Sequence, residues 1–255
     1  MDFVAIALQS GSSGNCIYVE TANVRLLFDA GLSCIDTEKR LTTRARDIRK
    51  VDAVIISHDH SDHVRHAGAL QRKYGLPIYI TRDTLDVSLA RHRLGRLEDV
   101  RHFHSGDTIE IGDVTVRTIP TPHDGADGVV FVVESGDKRL GIMTDLGHVF
   151  EGLKQEISCL DAVFLESNYD PVMLAKGPYP SFLKRRIQGP GGHISNFEAA
   201  ELLLSAERLK WACLSHLSQH NNYPDLALRT HREILPGSLM LHLAGRNEAT
   251  GILVI

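Results

Sequence analysis

The sequence has few cysteines, no excess of positive charge and no long apolar run. The four cysteines form no C-x-x-C pair and lie mostly beside apolar residues, so we expect reduced, buried thiols at Cys16, Cys34, Cys159 and Cys213. With 28 Lys and Arg against 32 Asp and Glu, the formal net charge is −4. A uniformly cationic surface is therefore excluded, and any contact with nucleic acid would need local basic patches.

No apolar segment is long enough to span a bilayer, and Asp2 lies where an export signal would carry positive charge. Together with the cysteine usage, this predicts a cytoplasmic protein with no membrane contact. A composition that is 43% apolar and 24% charged is typical of globular proteins. It excludes disorder, collagen and coiled coil.

Short β-branched runs alternate with segments of helical spacing throughout the chain. We predict helices over residues 33–50, 82–93, 195–209 and 224–234, with Ser195 and Asp225 capping the last two. In the first of these, Ile35, Leu41, Ala45 and Ile48 would share a buried face. No linker or change of composition divides the sequence, so we expect a single domain over residues 1–255.

An internal similarity predicts how the halves are arranged. RLLFDAG (25–31) is similar to GIMTDLG (141–147), and VDAVIISHDH (51–60) is similar to LDAVFLESNYD (160–170). Two similar halves packed face to face would form an α/β fold, a four-layer αββα sandwich with the polar loops gathered at one edge.

The strongest motif is the run His58-Asp59-His60-Ser61-Asp62-His63, which follows a buried strand. In an extended segment His58 and His60 project to the same side and can reach one cation. The chain then turns, so that Asp62 and His63 can reach a second cation. Imidazole and carboxylate suit zinc, manganese or iron, and the lack of cysteine disfavours a closed structural zinc site. We expect two divalent cations, zinc first, with manganese or iron as alternatives.

Two cations need more ligands than this motif supplies, so further His and Asp residues are expected at the ends of other strands. Three residues have that placement. His123 follows VTVRTIPT, Asp145 ends GIMTD, and His216 follows WACLS.

With these residues the sequence resembles the metallo-β-lactamase-fold hydrolases over essentially the whole chain. The residues that match that superfamily's motifs, in order, are Asp29, His58, His60, Asp62, His63, His123, Asp145 and His216. The chain also resembles the bacterial YycJ/WalJ family, whose members are described as DNA exonucleases. The segments that carry this narrower resemblance are SGSSGNC (10–16), SHDHSDH (57–63), TDLG (144–147), ESNYD (166–170), GGHISN (191–196) and SHLSQHNN (215–222).

The resemblance implies a metal site at one edge of two sheets and a role for each residue. His58, His60 and His123 would hold the first metal, Asp62, His63 and His216 the second, and Asp145 would bridge them. Asp29 would orient a ligand imidazole. His60 occupies the position at which redox members of the superfamily carry Glu, which favours a hydrolytic activity over a redox activity.

Such a site predicts phosphodiester hydrolysis by a hydroxide held between two cations roughly 3.5–4 Å apart. Asp62 would help orient the nucleophile. His193, in the glycine-rich GPGGHISN segment before a helix, would protonate the leaving oxygen. The alternative for His193 is a loop residue without a role.

Four residues are candidates for substrate binding. Ser195 and Asn196 would hold a phosphate at a helix start, although Ser195 can equally be a helix cap. Ser12 and Asn15 belong to a small polar loop that either lines the metal pocket or is a tight turn.

Three basic clusters would help to hold a phosphate backbone if they converge on the metal edge. They lie at residues 39–50, 91–101 and 184–186. The alternative for each cluster is a solvated helix face.

The leading hypothesis is a DNA exonuclease, with DNA preferred over RNA as the partner. Asp145 and His216 are 71 positions apart, which leaves little room for an insert that grips substrate. The substrate would then be short, single-stranded or held by a partner. The alternatives are a phosphodiesterase for small cyclic phosphates, a thioester or lactone hydrolase, and a non-catalytic nucleic-acid-binding scaffold.

Overall fold

A computed structural model describes residues 3–255, so Asp2 lies outside the described residues. Within that range the chain forms two seven-stranded sheets. The first contains β1 (Val4–Gln9), β2 (Cys16–Glu20), β3 (Arg25–Phe28), β4 (Ala53–Ile55), β5 (Ile78–Thr81), β6 (Val100–Phe103) and β14 (Leu253–Val254). The second contains β7 (Thr108–Ile111), β8 (Val114–Pro120), β9 (Val129–Ser135), β10 (Lys138–Met143), β11 (Ala162–Glu166), β12 (Trp211–Ser215) and β13 (Met240–Leu243).

The two sheets have the same strand order and the same strand directions. The first runs β14-β1-β2-β3-β4-β5-β6 and the second β7-β8-β9-β10-β11-β12-β13. In each sheet the first three pairs of neighbouring strands are antiparallel and the last three pairs are parallel, so the fourth strand has one neighbour of each kind. β3 and β10 therefore occupy equivalent central positions. These are the strands that carry the similar segments RLLFDAG and GIMTDLG.

Nine helices accompany the sheets within residues 3–255. They are α1 (Cys34–Thr42), α2 (Ser61–Val64), α3 (Ala67–Tyr74), α4 (Arg82–Arg91), α5 (Leu153–Ser158), α6 (Pro171–Lys176), α7 (Ser181–Gln188), α8 (Asn196–Leu203) and α9 (Pro224–Ile234).

The core has three main parts, which together define four layers. Alternate residues of both sheets, such as Phe28 and Phe131 with ring centroids 5.0 Å apart, pack between the sheets. The opposite face of the first sheet packs on α1 and α3 through Leu41 and Leu70. The opposite face of the second sheet packs on α5 and α8. The predicted αββα sandwich is confirmed, while a single domain over residues 1–255 stays a prediction.

The helix predicted over residues 33–50 is too long. α1 ends at Thr42, Ala45 adopts a positive φ of 54°, and Ile48–Lys50 form a separate 3-10 turn. The amide of Arg46 donates to the carbonyl of Leu41, which reverses the chain. Ile35, predicted on the buried face, is 73% exposed.

Two smaller predictions need correction. Asp225 does not cap α9, because Pro224 needs no hydrogen bond at its nitrogen and already starts the helix after Tyr223. Cys16 and Cys213 are buried free thiols as expected, but Cys34 is half-buried and Cys159 is exposed.

Among the described residues, no helix combines the length and the hydropathy that crossing a bilayer requires.

Candidate metal centre

The predicted ligands lie where parallel strands of the two sheets end. Asp29 directly follows β3, and His58 lies three residues beyond β4. In the second sheet Asp145 follows β10 and His216 directly follows β12. Because the carboxyl ends of parallel strands meet at one edge, these side chains converge from both sheets.

Two groups of three side chains match the predicted ligand sets. His58, His60 and His123 place one nitrogen each within 4.8 Å of one another. The second group, with the same spacing, is formed by Asp62, His63 and His216.

Asp145 lies between these two groups. Its Oδ2 is 3.2 Å from Nε2 of His63, and its Oδ1 is 3.3 Å from Nδ1 of His216 and 3.6 Å from Nε2 of His123. One carboxylate therefore faces imidazoles of both groups, as a bridging ligand would.

The donor atoms of this cluster fit divalent cations. Within residues 3–255, seven buried polar side-chain atoms have no hydrogen-bond partner, and three belong to predicted ligands: Nε2 of His58, Oδ2 of Asp145 and Nε2 of His216. Buried polar atoms are rarely left unpaired, because removing them from water is costly. Cations coordinated at these atoms would satisfy all three.

Two buried carboxylates orient the imidazoles. Oδ2 of Asp29 accepts from Nδ1 of His63 at 2.7 Å, which leaves Nε2 of that ring to face Asp145. Oε1 of Glu166 lies 3.1 Å from Nδ1 of His216 and 2.7 Å from Nδ1 of His193. Carboxylates in this position fix the tautomer and the direction of a ligand ring.

Glu166 was missed as a functional residue in the sequence. It is the last residue of β11, is fully buried, and also accepts from the backbone amide of Leu146 at 3.0 Å. The available signal was its position, since it opens the ESNYD segment and aligns with Ser57 in the internal similarity.

His193 lies beside the metal-ligand cluster. Its ring centroid is 5.0 Å from that of His123 and 5.2 Å from that of His216. Its side chain is 17% exposed, so the ring borders both the buried cluster and the solvent.

The candidate substrate-binding residues have varied surroundings. Ser12 is exposed in the loop between β1 and β2. Asn15 is buried, and its Nδ2 donates to Oδ2 of Asp62 at 3.1 Å, so it belongs to the metal edge. Ser195 caps α8 in a reciprocal capping box with Glu198. Asn196 is fully buried; its Oδ1 accepts from Ser167 and Asn222, and its Nδ2 donates to Asn222. Substrate binding by these four residues stays a prediction.

In the first ligand group, burial favours neutral imidazoles. Burial and the neighbouring His63 imidazole hold the pKa of His58 well below its usual range. Burial also lowers the pKa of His60 and of His123. Neutral imidazole is the form that coordinates a metal.

The second ligand group attracts positive charge. Burial alone would lower the pKa of His216, but Asp145, Asp62 and Glu166 raise it to about 10. Burial alone would raise the pKa of Asp145, but the His216 and His63 imidazoles outweigh burial and hold this pKa well below its usual range. These carboxylates therefore stabilise positive charge, carried either by protons on the imidazoles or by a cation.

Backbone strain is concentrated at this edge. Asp29, Asp145 and His216 have positive φ values of 66°, 59° and 54°. Non-glycine residues rarely adopt this conformation, and it occurs most often where side chains must be aimed for function.

The basic clusters differ in their relation to the site. In the 39–50 cluster, Arg46 pairs with Glu20 and Arg49 with Glu38, so part of its charge is compensated. Arg91 bonds Asp59 at 2.8 Å, inside the histidine motif. Arg186 bonds Asp124, which also contacts His60. The last two clusters therefore reach the metal edge.

A cavity of about 660 Å³ lies next to His216, in the size range of small-molecule sites. It lies between the loop at residues 217–224 and the loop at residues 243–251, and Arg44 and Arg246 contribute to its wall. Ser10 also lines it and accepts from the amide of His216 at 2.7 Å.

Comparison with known proteins gives a consistent result. The family described as the beta-lactamase superfamily domain matches residues 24–216. "Exodeoxyribonuclease YycJ" of Bacillus anthracis is 35% identical over 232 residues, which cover 89% of this chain and 87% of the relative. "Exodeoxyribonuclease WalJ" of Streptococcus pneumoniae (strain D39) is 34% identical, covering 88% of this chain and 84% of the relative. Among solved structures, the metallo-beta-lactamase fold protein YhfI of Bacillus subtilis superimposes with a TM-score of 0.75 at 17% identity, covering 98% of this chain and all of the other.

Proposed function

The chain belongs to the beta-lactamase superfamily domain family and, within it, to the family of YycJ and WalJ, and from this premise we propose that it is a metal-dependent phosphodiester hydrolase that removes nucleotides from the ends of DNA. The observation that supports this best is the pair of three-residue ligand groups on either side of Asp145. The names of the two exodeoxyribonuclease relatives suggest the substrate class.

We assign one divalent cation to His58, His60 and His123 and a second to Asp62, His63 and His216, with Asp145 between them. Zinc is the first candidate, because imidazole and carboxylate are ligands that it favours, and manganese or iron are alternatives. Two bound cations would activate water near neutral pH and neutralise charge that develops at phosphorus.

The protein's own residues position the reacting groups. Asp62 is only partly buried, and Asn15 holds one of its oxygens, so the carboxylate is placed to accept a proton from an attacking water. Asp29 and Glu166 accept hydrogen bonds from the Nδ1 atoms of His63 and His216, which leaves the Nε2 atom of each ring available to a cation.

His193 is our candidate for the general acid. Glu166 accepts from its Nδ1 at 2.7 Å, so the ring acts as an acid in its imidazolium form, giving the Nε2 proton to the leaving oxygen and keeping the Nδ1 proton. Because the ring lies at the border between cluster and solvent, Nε2 can reach the leaving oxygen of a bound phosphodiester.

The test is hydrolysis of end-labelled single-stranded DNA, double-stranded DNA and matched RNA by metal-reconstituted protein, with bis(p-nitrophenyl) phosphate alongside. We expect a ladder of shortened DNA products that the Asp62→Ala variant does not form. The matched control is Asp113→Ala, which changes a carboxylate that pairs with Thr21 outside the predicted ligand groups.

Cleavage of only the small diester would overturn the proposed polynucleotide substrate and favour a small-molecule phosphodiesterase. No cleavage of any phosphodiester by protein with two bound metals would overturn phosphodiester hydrolysis, and thioesters and lactones would then be the substrates to test.

A further inference from the structure

The segment between β11 and α8 forms a helical pair at the metal edge. Although the sequence leaves little room for an insert, α6 and α7 fit there and share a small core in which Leu174 and Ile187 are buried. The amide of His193 donates to the carbonyl of Ile187 at 2.9 Å. This bond fixes the end of α7 relative to the candidate general acid.

A single carboxylate connects α7 to the first ligand group. Oδ2 of Asp124 accepts from Nε of Arg186 at 2.7 Å, and its Oδ1 lies 3.3 Å from Nε2 of His60. The guanidinium group of Arg186 on α7 is therefore connected to His60 through one carboxylate.

The exposed side of α7 combines an aromatic ring with cations. Phe182 is 67% exposed, an unusual state for a large apolar side chain. Arg185 and Arg186 follow at spacings of three and four residues, so they lie on the same side one helical turn away. Arg185 is exposed and forms no ion pair within the part of the chain that the structure describes.

The surface continues past the start of α7. The ring of Tyr179, just before the helix, lies 5.8 Å from the ring of His220. His220 belongs to the loop that borders the 660 Å³ cavity beside His216. An elongated ligand on α7 would thus extend from the cavity toward His60.

We propose that α7 holds single-stranded nucleic acid next to the metal centre, with Phe182 stacking on a base and Arg185 contacting a phosphate. This inference rests on the proposed polynucleotide substrate. An aromatic side chain that stacks on bases, flanked by cations that track the backbone, is how proteins bind single strands without reading sequence. Bases within a duplex already stack on each other, so the exposed ring selects an unpaired strand.

The test is fluorescence anisotropy of a labelled twelve-nucleotide oligothymidylate, as a single strand and as a duplex with its complement, bound to the full chain in an Asp62→Asn background so that cleavage does not interfere. We expect Phe182→Ala and Phe182→Leu to weaken binding about tenfold, and Phe182→Trp to retain it. Arg185→Gln should weaken binding and reduce the slope of log affinity against log salt by about 0.7, as expected for one lost phosphate contact.

Matched controls are Leu204→Ala and Arg232→Gln. Both residues are exposed, and they lie near the ends of α8 and α9, away from the metal edge. We expect the controls to bind the oligonucleotide like the parent protein.

Two results would overturn the inference: Phe182→Leu binding as tightly as the Leu204→Ala control, or Phe182→Ala weakening duplex and single strand equally. Because binding is measured without cleavage, a failure of the proposed nuclease activity is seen separately, in the end-labelled DNA assay on the protein with Asp62 intact.

Discussion

At the scale of the residue, the candidate metal centre depends on carboxylates that do not themselves need to bind a cation. Asp29 holds His63, and Glu166 holds both His193 and His216. Burial raises the pKa of Glu166, but the His193 and His216 imidazoles outweigh it and lower the pKa to about 2. Glu166 is thus an anion that accepts hydrogen bonds from two rings at once.

Replacing Glu166 by Gln removes this charge while retaining the side chain's shape. We expect the affinity for the second metal to fall 10- to 100-fold, because His216 loses the partner that fixes its tautomer. Metal titration followed by elemental analysis measures this. Glu156→Gln, which alters an ion pair with Arg117, is the matched control. Equal metal affinity in the two variants would contradict the role assigned to Glu166.

His231 gives a test of pH dependence that is independent of the metal ligands. It is buried in α9, its Nδ1 bonds the carbonyl of Ala227, and burial lowers its pKa to about 4. The unfolded chain binds this proton near pH 6.5 and the folded chain only near pH 4. Its contribution to stability is therefore complete above pH 6.5 and is lost as the pH falls toward 4.

The free energy of unfolding should accordingly fall by about 2 kcal/mol more between pH 7.5 and pH 5 in the parent protein than in His231→Leu. Urea unfolding at both pH values measures the difference. Other titrating groups are common to both proteins and cancel in this comparison. Parallel pH profiles would show that His231 is not kept neutral by burial.

Single residues differ in how well the sequence reveals them. His58, His60, Asp62 and His63 were predictable because six consecutive positions carry the pattern. Glu166 was not, since its function depends on ring nitrogens 27 and 50 positions away. Asn196 was proposed for substrate binding from its place at a helix start. Its side-chain partners, Ser167 and Asn222, are distant in the sequence, so its burial could not be predicted.

At the scale of the element, the loops after parallel strands must approach one another closely to bring the ligands together. A Cβ atom at Gly31 would lie 1.9 Å from the carbonyl oxygen of Asp62 and 2.4 Å from the amide nitrogen of Asn15. Only glycine allows the loop after β3 to pack on the loop after β1 and on the histidine motif.

We expect Gly31→Ala to destabilise the protein by about 1–3 kcal/mol or more and to reduce metal binding, because Asp62 must move. Thermal unfolding and metal content measure the two effects. Gly251→Ala is the control, since a Cβ there meets no atom within 4 Å. Unchanged metal content in Gly31→Ala would show that the motif tolerates this displacement.

Elements were predictable where burial leaves a periodic pattern. α9 was predicted with its observed bounds, and α4 was predicted two residues too long. The strands β6, β7 and β13 and the helices α2, α3, α5, α6 and α7 were not identified. β6 exposes two of its four residues and α7 buries only Ile187, so neither carries a clear apolar period.

At the scale of the whole molecule, each ligand group contains residues from both sheets. The first joins His58 and His60, after β4, to His123, after β8. The second joins Asp62 and His63 to His216, after β12. Cations held by these groups would therefore tie the two halves of the sandwich together.

Removing metal should then lower the melting temperature of the entire fold. A cation at 100 times its dissociation constant adds about 2.7 kcal/mol of stability, which corresponds to roughly 5–10 °C in a chain of this size. Calorimetry before and after chelation measures this shift. The Asp145→Asn variant should show a smaller shift in melting temperature on chelation. Identical melting temperatures, with loss of metal verified, would argue against cations linking the sheets.

The pairing of β1 with β14 has a consequence for biosynthesis. Val4 lies opposite Val254, so one sheet includes strands from near the beginning and the end of the described chain. A nascent polypeptide emerging from the ribosome can form the pairs from β1 to β6 early, but β1 remains an open edge until residues 253–254 have left the exit tunnel. Because open edges recruit foreign strands, β1 is exposed to misassembly during translation until β14 pairs with it.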